Sequence, residues 1–188
     1  MKPAVPLSRY LVFFALAAGV CAADLASKSW IFTKYPLGFL RWAWNDVIGI
    51  QTTLNEGALF GLGQGFWPLF AALSVGAAIA IFLWLFAARA ACDRLLTVAL
   101  GLVTGGILGN LYDRLGLPGL TWGHGIPGHL LGEPVHAVRD FILVMIGPWH
   151  WPNFNLADSA LVCGAILLVW HAFFVKTKWD ASAEPEGD

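Results

Sequence analysis

The 188-residue chain is 58% hydrophobic and 12% charged, with a mean hydropathy of +0.68. Soluble domains average about 45–50% apolar and about 25% charged residues, so an ordinary soluble core and a disordered chain are both excluded. The net charge is −1 with Lys and Arg scattered singly, leaving no basic face for nucleic acid, and Cys21, Cys92 and Cys163 all fall in or beside apolar runs, which argues against a disulfide scaffold. A polytopic membrane protein remains.

A helix needs about 20 mostly apolar residues to cross a hydrocarbon core of about 30 Å. Residues 10–32 form a first candidate, with Asp24 and Lys28 in its last third. Lys2 and Arg9 before this run also resemble the start of a secretory signal peptide, but its continuation through an Asp24–Lys28 i,i+4 pair favours a retained span. Residues 66–88 carry no charge and have Pro68 in the first turn, where a missing N–H costs little. Residues 95–112 are stopped by Asp113-Arg114, and residues 154–175 are broken only by Asp158 and His171.

Four spans put both termini on one side. Lys2, Arg9, Arg89, Arg94, Lys176 and Lys178 gather there, which makes that side cytoplasmic. The expectation is one integral membrane domain over residues 1–180, with outer loops 33–65 and 113–153 and an acidic cytoplasmic tail, 181–188. Trp42, Trp44, Trp67, Trp122, Trp149 and Trp151 lie in or beside the outer loops and read as membrane–water anchors. In the third span Gly101, Gly105 and Gly109 repeat every four residues, a smooth strip for a neighbouring helix.

Polar groups near hydrocarbon are costly and tend to face a bundle interior or a water-filled cavity. Here they collect at the outer helix ends: Asp24 and Lys28 on span one; Asn110, Asp113 and Arg114 on span three; Asn155 and Asp158 on span four; Asp140 in the loop before it. Asp140 precedes the apolar, strand-length run 141–146, and a turn over 147–152 leads back to span four. Such a return can bring Asp140 and Asp158 together. Two carboxylates in a low-dielectric site share one proton, so one can activate water while the other protonates a leaving amine. Spacing alone equally allows Asp140 to cap a loop and Asp158 to stabilise a helix start.

Five segments in order carry a family resemblance: Asp24-Leu25-Ala26-Ser27-Lys28; Asn55-Glu56-Gly57-Ala58-Leu59-Phe60-Gly61; Gly105-Gly106-Ile107-Leu108-Gly109-Asn110-Leu111-Tyr112-Asp113-Arg114; Val138-Arg139-Asp140-Phe141; and Phe154-Asn155-Leu156-Ala157-Asp158-Ser159-Ala160. Together they resemble lipoprotein signal peptidase (signal peptidase II), a family of bacterial intramembrane aspartyl proteases. The resemblance implies a mainly α membrane protein, a four-helix bundle with a small β-rich cradle on the outer face. Strands are expected from residues 38–54 and 140–146. It implies Asp140 and Asp158 as the catalytic dyad, with Asn55, Asn110, Arg114 and Asn155 lining the site. Asp113 would hold Arg114 and the loop, and Asp24 and Lys28 would support the site from span one. The implied substrate is a diacylglyceryl-modified prolipoprotein, cut before its lipidated cysteine, with no cofactor and no metal. The implied setting is the bacterial inner membrane, with membrane lipid around a monomer and the site near the outer leaflet.

The chain departs from the family pattern in three places. Glu56 and Leu59 stand where small or hydroxyl residues and Ala are more usual. Arg139 replaces an apolar residue, and a cation beside Asp140 is expected to favour its ionised form. Between Arg114 and Asp140 lie 25 residues rich in Gly, Pro and His, read as a solvated or membrane-hugging loop. Within that insert His124, His129, Glu133 and His136 suggest a metal site only weakly, because their spacing fits no ligand motif. His171 reads as a packed polar residue and the cysteines as small core hydrophobes. The competing functions are a proton-coupled carrier using Asp24, Asp140 and Asp158, and a non-catalytic assembly factor.

Overall fold

The structure, a computed structural model, describes residues 4–57, 63–124 and 126–174. Leu59, Phe60 and Gly61 of the second motif, the flanking Lys2, Lys176 and Lys178, and the tail 181–188 lie outside the described residues.

Among the described residues four helices are long and apolar enough to cross a membrane. They are α1 (Leu7–Lys34), α2 (Trp67–Phe82, continued by a π-helical turn Leu83–Ala87), α3 (Arg94–Arg114) and α4 (Leu156–Phe174). Half of the apolar window of α3 is buried, against 11–17% in the other three, so α3 is the central helix. It packs against α1, α4 and, less extensively, α2.

Glycine makes those contacts close. A Cβ on Gly105 would lie 2.6 Å from Val20 Cβ of α1, and one on Gly106 would lie 2.6 Å from the Ala157 carbonyl oxygen of α4. The apolar driving force between helices is weak in lipid, so backbone approach of this kind carries much of the packing. At the opposite end from the sheet, Phe13, Leu85, Phe86, Ala91 and Leu100 form an apolar cluster. His171 of α4 bonds Asp93 Oδ2 at 2.8 Å, while Asp93 Oδ1 caps α3 by accepting from Leu96 N. His171 is therefore a clasp between α3 and α4. Cys92 and Cys163 are exposed on the bundle surface rather than in a core, and Cys21 is half-buried.

The cradle is a four-stranded antiparallel sheet in the order β1 (Leu40–Trp44), β2 (Ile48–Asn55), β3 (Val138–Ile146), β4 (Trp149–Phe154). The return over 147–152, expected as a turn, is mostly strand. Gly147 adopts φ 61°, which lets a two-residue Gly147-Pro148 connection close the hairpin, and Pro152 is tolerated because β4 is an edge. Pairing Thr53 with Asp140 and Ile142 with Phe154 fixes Asp140 beside β2 and brings the chain into α4.

The insert is more ordered than a solvated loop. Trp122 is 5% exposed and packs with Val135 and Ala137, so it is a small core and not a membrane anchor. A bridge between Thr121 and Pro134 closes the excursion. His136 stacks on Trp67 of α2 at 4.0 Å and its Nδ1 lies 3.0 Å from the Arg114 carbonyl oxygen.

Candidate active site

Asp158 is positioned by the start of α4. Asn155 Oδ1 accepts from Asp158 N at 3.0 Å, and Asp158 Oδ2 accepts from Asn155 N at 3.1 Å. This reciprocal pair is a capping box, which satisfies helix N–H groups that have no partner inside the helix. Asp24 of α1 supplies a further acceptor, taking Ala157 N on Oδ1 at 3.0 Å. Helix-start and site readings of Asp158 therefore describe the same geometry.

Asp140, 2% exposed, stands in β3 facing the same residues. Asn155 Nδ2 donates to Asp140 Oδ1 at 2.7 Å, and Asn55 Nδ2 donates to its Oδ2 at 3.2 Å. Asn110 Nδ2 donates to Asp158 Oδ1 at 2.8 Å. The amide orientations are set by their other partners. Asn110 Oδ1 accepts from Lys28 Nζ at 2.9 Å, and a lysine ammonium has no acceptor, so the Asn110 amide nitrogen must face Asp158. Asn55 Oδ1 accepts from Gly57 N, turning its amide nitrogen to Asp140. Thus Asn155 bonds both carboxylates, and Asn110 and Asn55 each bond one.

Beneath this layer lies a dry ionic set. Lys28, Asp24 and Asp113 are fully buried, with Lys28 Nζ 2.7 Å from Asp24 and 3.2 Å from Asp113. Asp113 was expected to hold Arg114, but its bonds run to Arg139. Arg139 Nε and Nη2 both donate to Asp113 Oδ1, and Arg139 N donates to Oδ2. Successive strand residues face opposite ways, so Arg139 turns to Asp113 while Asp140 turns to the asparagines. Arg139 spends its guanidinium on Asp113, and its pull toward ionised Asp140 is outweighed. Burial, reinforced by the neighbouring Asp158, pushes Asp140 from 3.8 up to about 7 against the pull of Asn155, Asn55 and Lys28. The signal for Arg139 was present in the sequence: a lone cation in an apolar strand needs a buried partner.

Arg114 leaves the ionic set, donating from Nη2 to the Gly57 carbonyl oxygen at 3.2 Å and lying over Phe70. With Asn55, Asn110 and Asp158 it lines a largely apolar cavity of about 670 Å³ that also takes in Ile107, Trp151, Leu161 and Val162. Asp140 opens instead on a polar groove of about 500 Å³. Ser74 and Asn153 join these walls only through tertiary packing and nothing in the sequence marks them, while Trp151 reads there only as a membrane–water anchor. Among the described residues no group of three or more His, Cys, Asp or Glu is arranged to hold a metal ion, and the insert's His124, His129, Glu133 and His136 form none. The arrangement suits transfer of a proton between two carboxylates and a substrate held between a polar and an apolar wall.

A family profile described as signal peptidase (SPase) II matches residues 16–174. The chain is 48% identical over 174 residues to the lipoprotein signal peptidase of Rhodopirellula baltica, covering 90% of this chain and 75% of that one. It is 34% identical over 170 residues to that of Geobacillus thermodenitrificans, covering 90% and 94%. A bacterial membrane enzyme solved by the in meso method superposes with a TM-score of 0.72 at 25% identity, over 100% of this chain and 97% of that one. A second has a TM-score of 0.70 at 25% identity, over 93% and 98%. The named relatives are peptidases, and the carrier reading finds no support among them.

Proposed function

The chain belongs to the signal peptidase II family, and from that premise we propose that it is an aspartic endopeptidase acting through Asp140 and Asp158. It removes the signal peptide from diacylglyceryl-modified prolipoproteins, cutting before the lipidated cysteine. The observation that carries the dyad assignment is that one residue, Asn155, bonds both carboxylates, through its side chain to Asp140 and its backbone to Asp158.

Asp140 holds the shared proton, since it is the more buried of the two. Asp158 is half-buried and faces the cavity from the first turn of α4. Asp158 takes a proton from water as the oxygen attacks the scissile carbonyl. Asp140 gives its proton to the departing amine as the C–N bond breaks, and the dyad ends with one proton as it began. Asn55, Asn110 and Asn155 hold both acids in register, and Arg114 faces the substrate from the cavity wall. Asp24, Lys28 and Asp113 support them. The chemistry calls for no cofactor.

The site location fits a substrate anchored in lipid. Extracting acyl chains from a bilayer costs about 0.8 kcal/mol per CH₂, which a site at the helix ends avoids. The basic residues flanking the spans support cytoplasmic termini, a cytoplasmic 181–188 tail and a site near the outer leaflet of the bacterial inner membrane. The proposed working unit is a monomer.

The test is cleavage of a diacylglyceryl-modified peptide in detergent by wild type, Asp140→Asn and Asp158→Asn, each checked for folding by thermal melt. Wild type should cut before the cysteine with or without EDTA, and both folded variants should lose at least about 10³-fold. Near-normal activity in either variant would refute the dyad.

A further inference from the structure

Two hollows meet at the Asp140–Asp158 pair. Asn55, Pro152 and Asn153 border both the apolar cavity beside Asp158 and the polar groove beside Asp140. An extended peptide lying across the pair therefore passes from one into the other. Signal-peptide side chains and acyl chains suit the apolar side. The polar chain that follows the cut then leaves through the groove, past Gln51, Gln64, His150 and Glu56.

Glu56 is one of the positions where this chain departs from the family pattern, and the insert holds it in place. His129 Nε2 lies 2.8 Å from Glu56 Oε1, and the ring stacks on Trp122 at 4.0 Å. His129 Nδ1 faces Glu133 Oε2 at 3.5 Å. Two carboxylates against one imidazole leave this cluster negative whichever state the ring takes. Glu56 borders both the groove and a small cavity of about 140 Å³ between the insert and the start of α2, and its side chain remains 26% exposed. The groove's lining includes Asp140 and Glu56 but no Lys or Arg among the described residues.

We propose that Glu56, clasped by His129 of the 115–139 insert, is a specificity-determining residue that reads the charge of the substrate just after the lipidated cysteine. It favours Lys or Arg there and disfavours Asp or Glu. The proposal rests on the peptidase reading above. One partly exposed charge acting across an open groove gives a preference of about tenfold, weakened by salt.

The experiment uses three diacylglyceryl peptides, identical except for Lys, Gln or Glu at the second residue after the cut. Values of kcat/KM are compared for wild type and Glu56→Gln. Wild type should prefer Lys over Glu by about tenfold at low salt. Glu56→Gln should bring that ratio to within about twofold of one. Raising NaCl from about 0.01 M to about 1 M shortens the screening length from about 30 Å to about 3 Å and should collapse the wild-type ratio in the same way. If Glu56→Gln does not fold, Glu56→Ser, with the hydroxyl side chain more usual at this position, replaces it in the same comparison. Equal cleavage of the three peptides by wild type, or a preference that survives either the substitution in a folded variant or the salt, overturns the proposal. Wild type inert on all three would instead overturn the peptidase reading, and the proposal with it.

Discussion

Raising the pH should both weaken the fold and stop the chemistry, through one group. Asp140 titrates near 7 in the folded protein against an ordinary 3.8, chiefly because it is buried and secondarily because Asp158 is close. Between these values the native state keeps a proton that the unfolded chain has released, so stability falls as pH rises across the window. A shift of about three units at about 1.4 kcal/mol each gives a loss of about 4 kcal/mol, complete above pH 7 and absent below 3.8. Asp140→Asn removes the group and should remove that decline, whatever constant cost its amide brings beside the Asn155 and Asn55 donors. The assay is equilibrium unfolding in mixed micelles at pH 4 to 8 for both proteins, read as the change in their difference. In the proposed mechanism the same proton goes to the leaving amine, so kcat/KM on a capped lipopeptide should fall about tenfold per unit above pH 7. Matching pH dependences of stability within about 1 kcal/mol, or activity flat to pH 9, would refute the reasoning.

Other substitutions probe the support. Lys28→Met leaves Asp24 and Asp113 without their shared ammonium and frees the Asn110 amide to turn. It should cost about 3–5 kcal/mol in a melt and lower kcat beyond what the melt accounts for. Gly109→Ala places a Cβ 2.5 Å from Asp24 Oδ2 and should destabilise by about 1–3 kcal/mol, measured by unfolding in micelles. Gly19→Ala, on an exposed side of α1, meets nothing within 4 Å and should be neutral or gain up to about 1 kcal/mol.

What the sequence could reveal follows from how local each feature is. Long uncharged runs announce the four helices, and an Asn three residues before an Asp announces a capping box whether or not it is catalytic. The Gly147-Pro148 pair announces a reversal between Asp140 and Asp158. The strand that follows was hidden because Trp149–Phe154 contains Pro152, and only its edge position makes that proline harmless. Trp122 reads as an anchor because it lies in an outer loop; its neighbours in the fold, Val135 and Ala137, arrive only when the insert closes. The resemblance assigns Asp113 to the adjacent Arg114. Consecutive helix residues point about 100° apart, however, and Asp113 meets Arg139 from a strand instead.

The buried charges explain why Arg139 suits this chain. Asp24, Lys28, Asp113 and Arg139 are close to fully buried and sum to zero, a condition that keeps several charges tolerable out of water. With an apolar residue at 139 the same set would hold one uncompensated negative charge next to Asp140. At a separation on the order of 10 Å and an effective dielectric of about 20, that charge would act on Asp140 with about 1.7 kcal/mol, roughly one pKa unit. Like charge favours the protonated carboxyl, so Arg139→Val should move the alkaline limb of kcat/KM upward by about one pH unit while lowering the melting midpoint. Adding Asp113→Asn restores neutrality and should return the limb toward its original position even if stability recovers only in part. Arg139 acts here as a positioning residue for charge, so a fall in the melt with an unmoved limb would reduce it to packing. A limb that moves and returns with Asp113→Asn requires the electrostatic account.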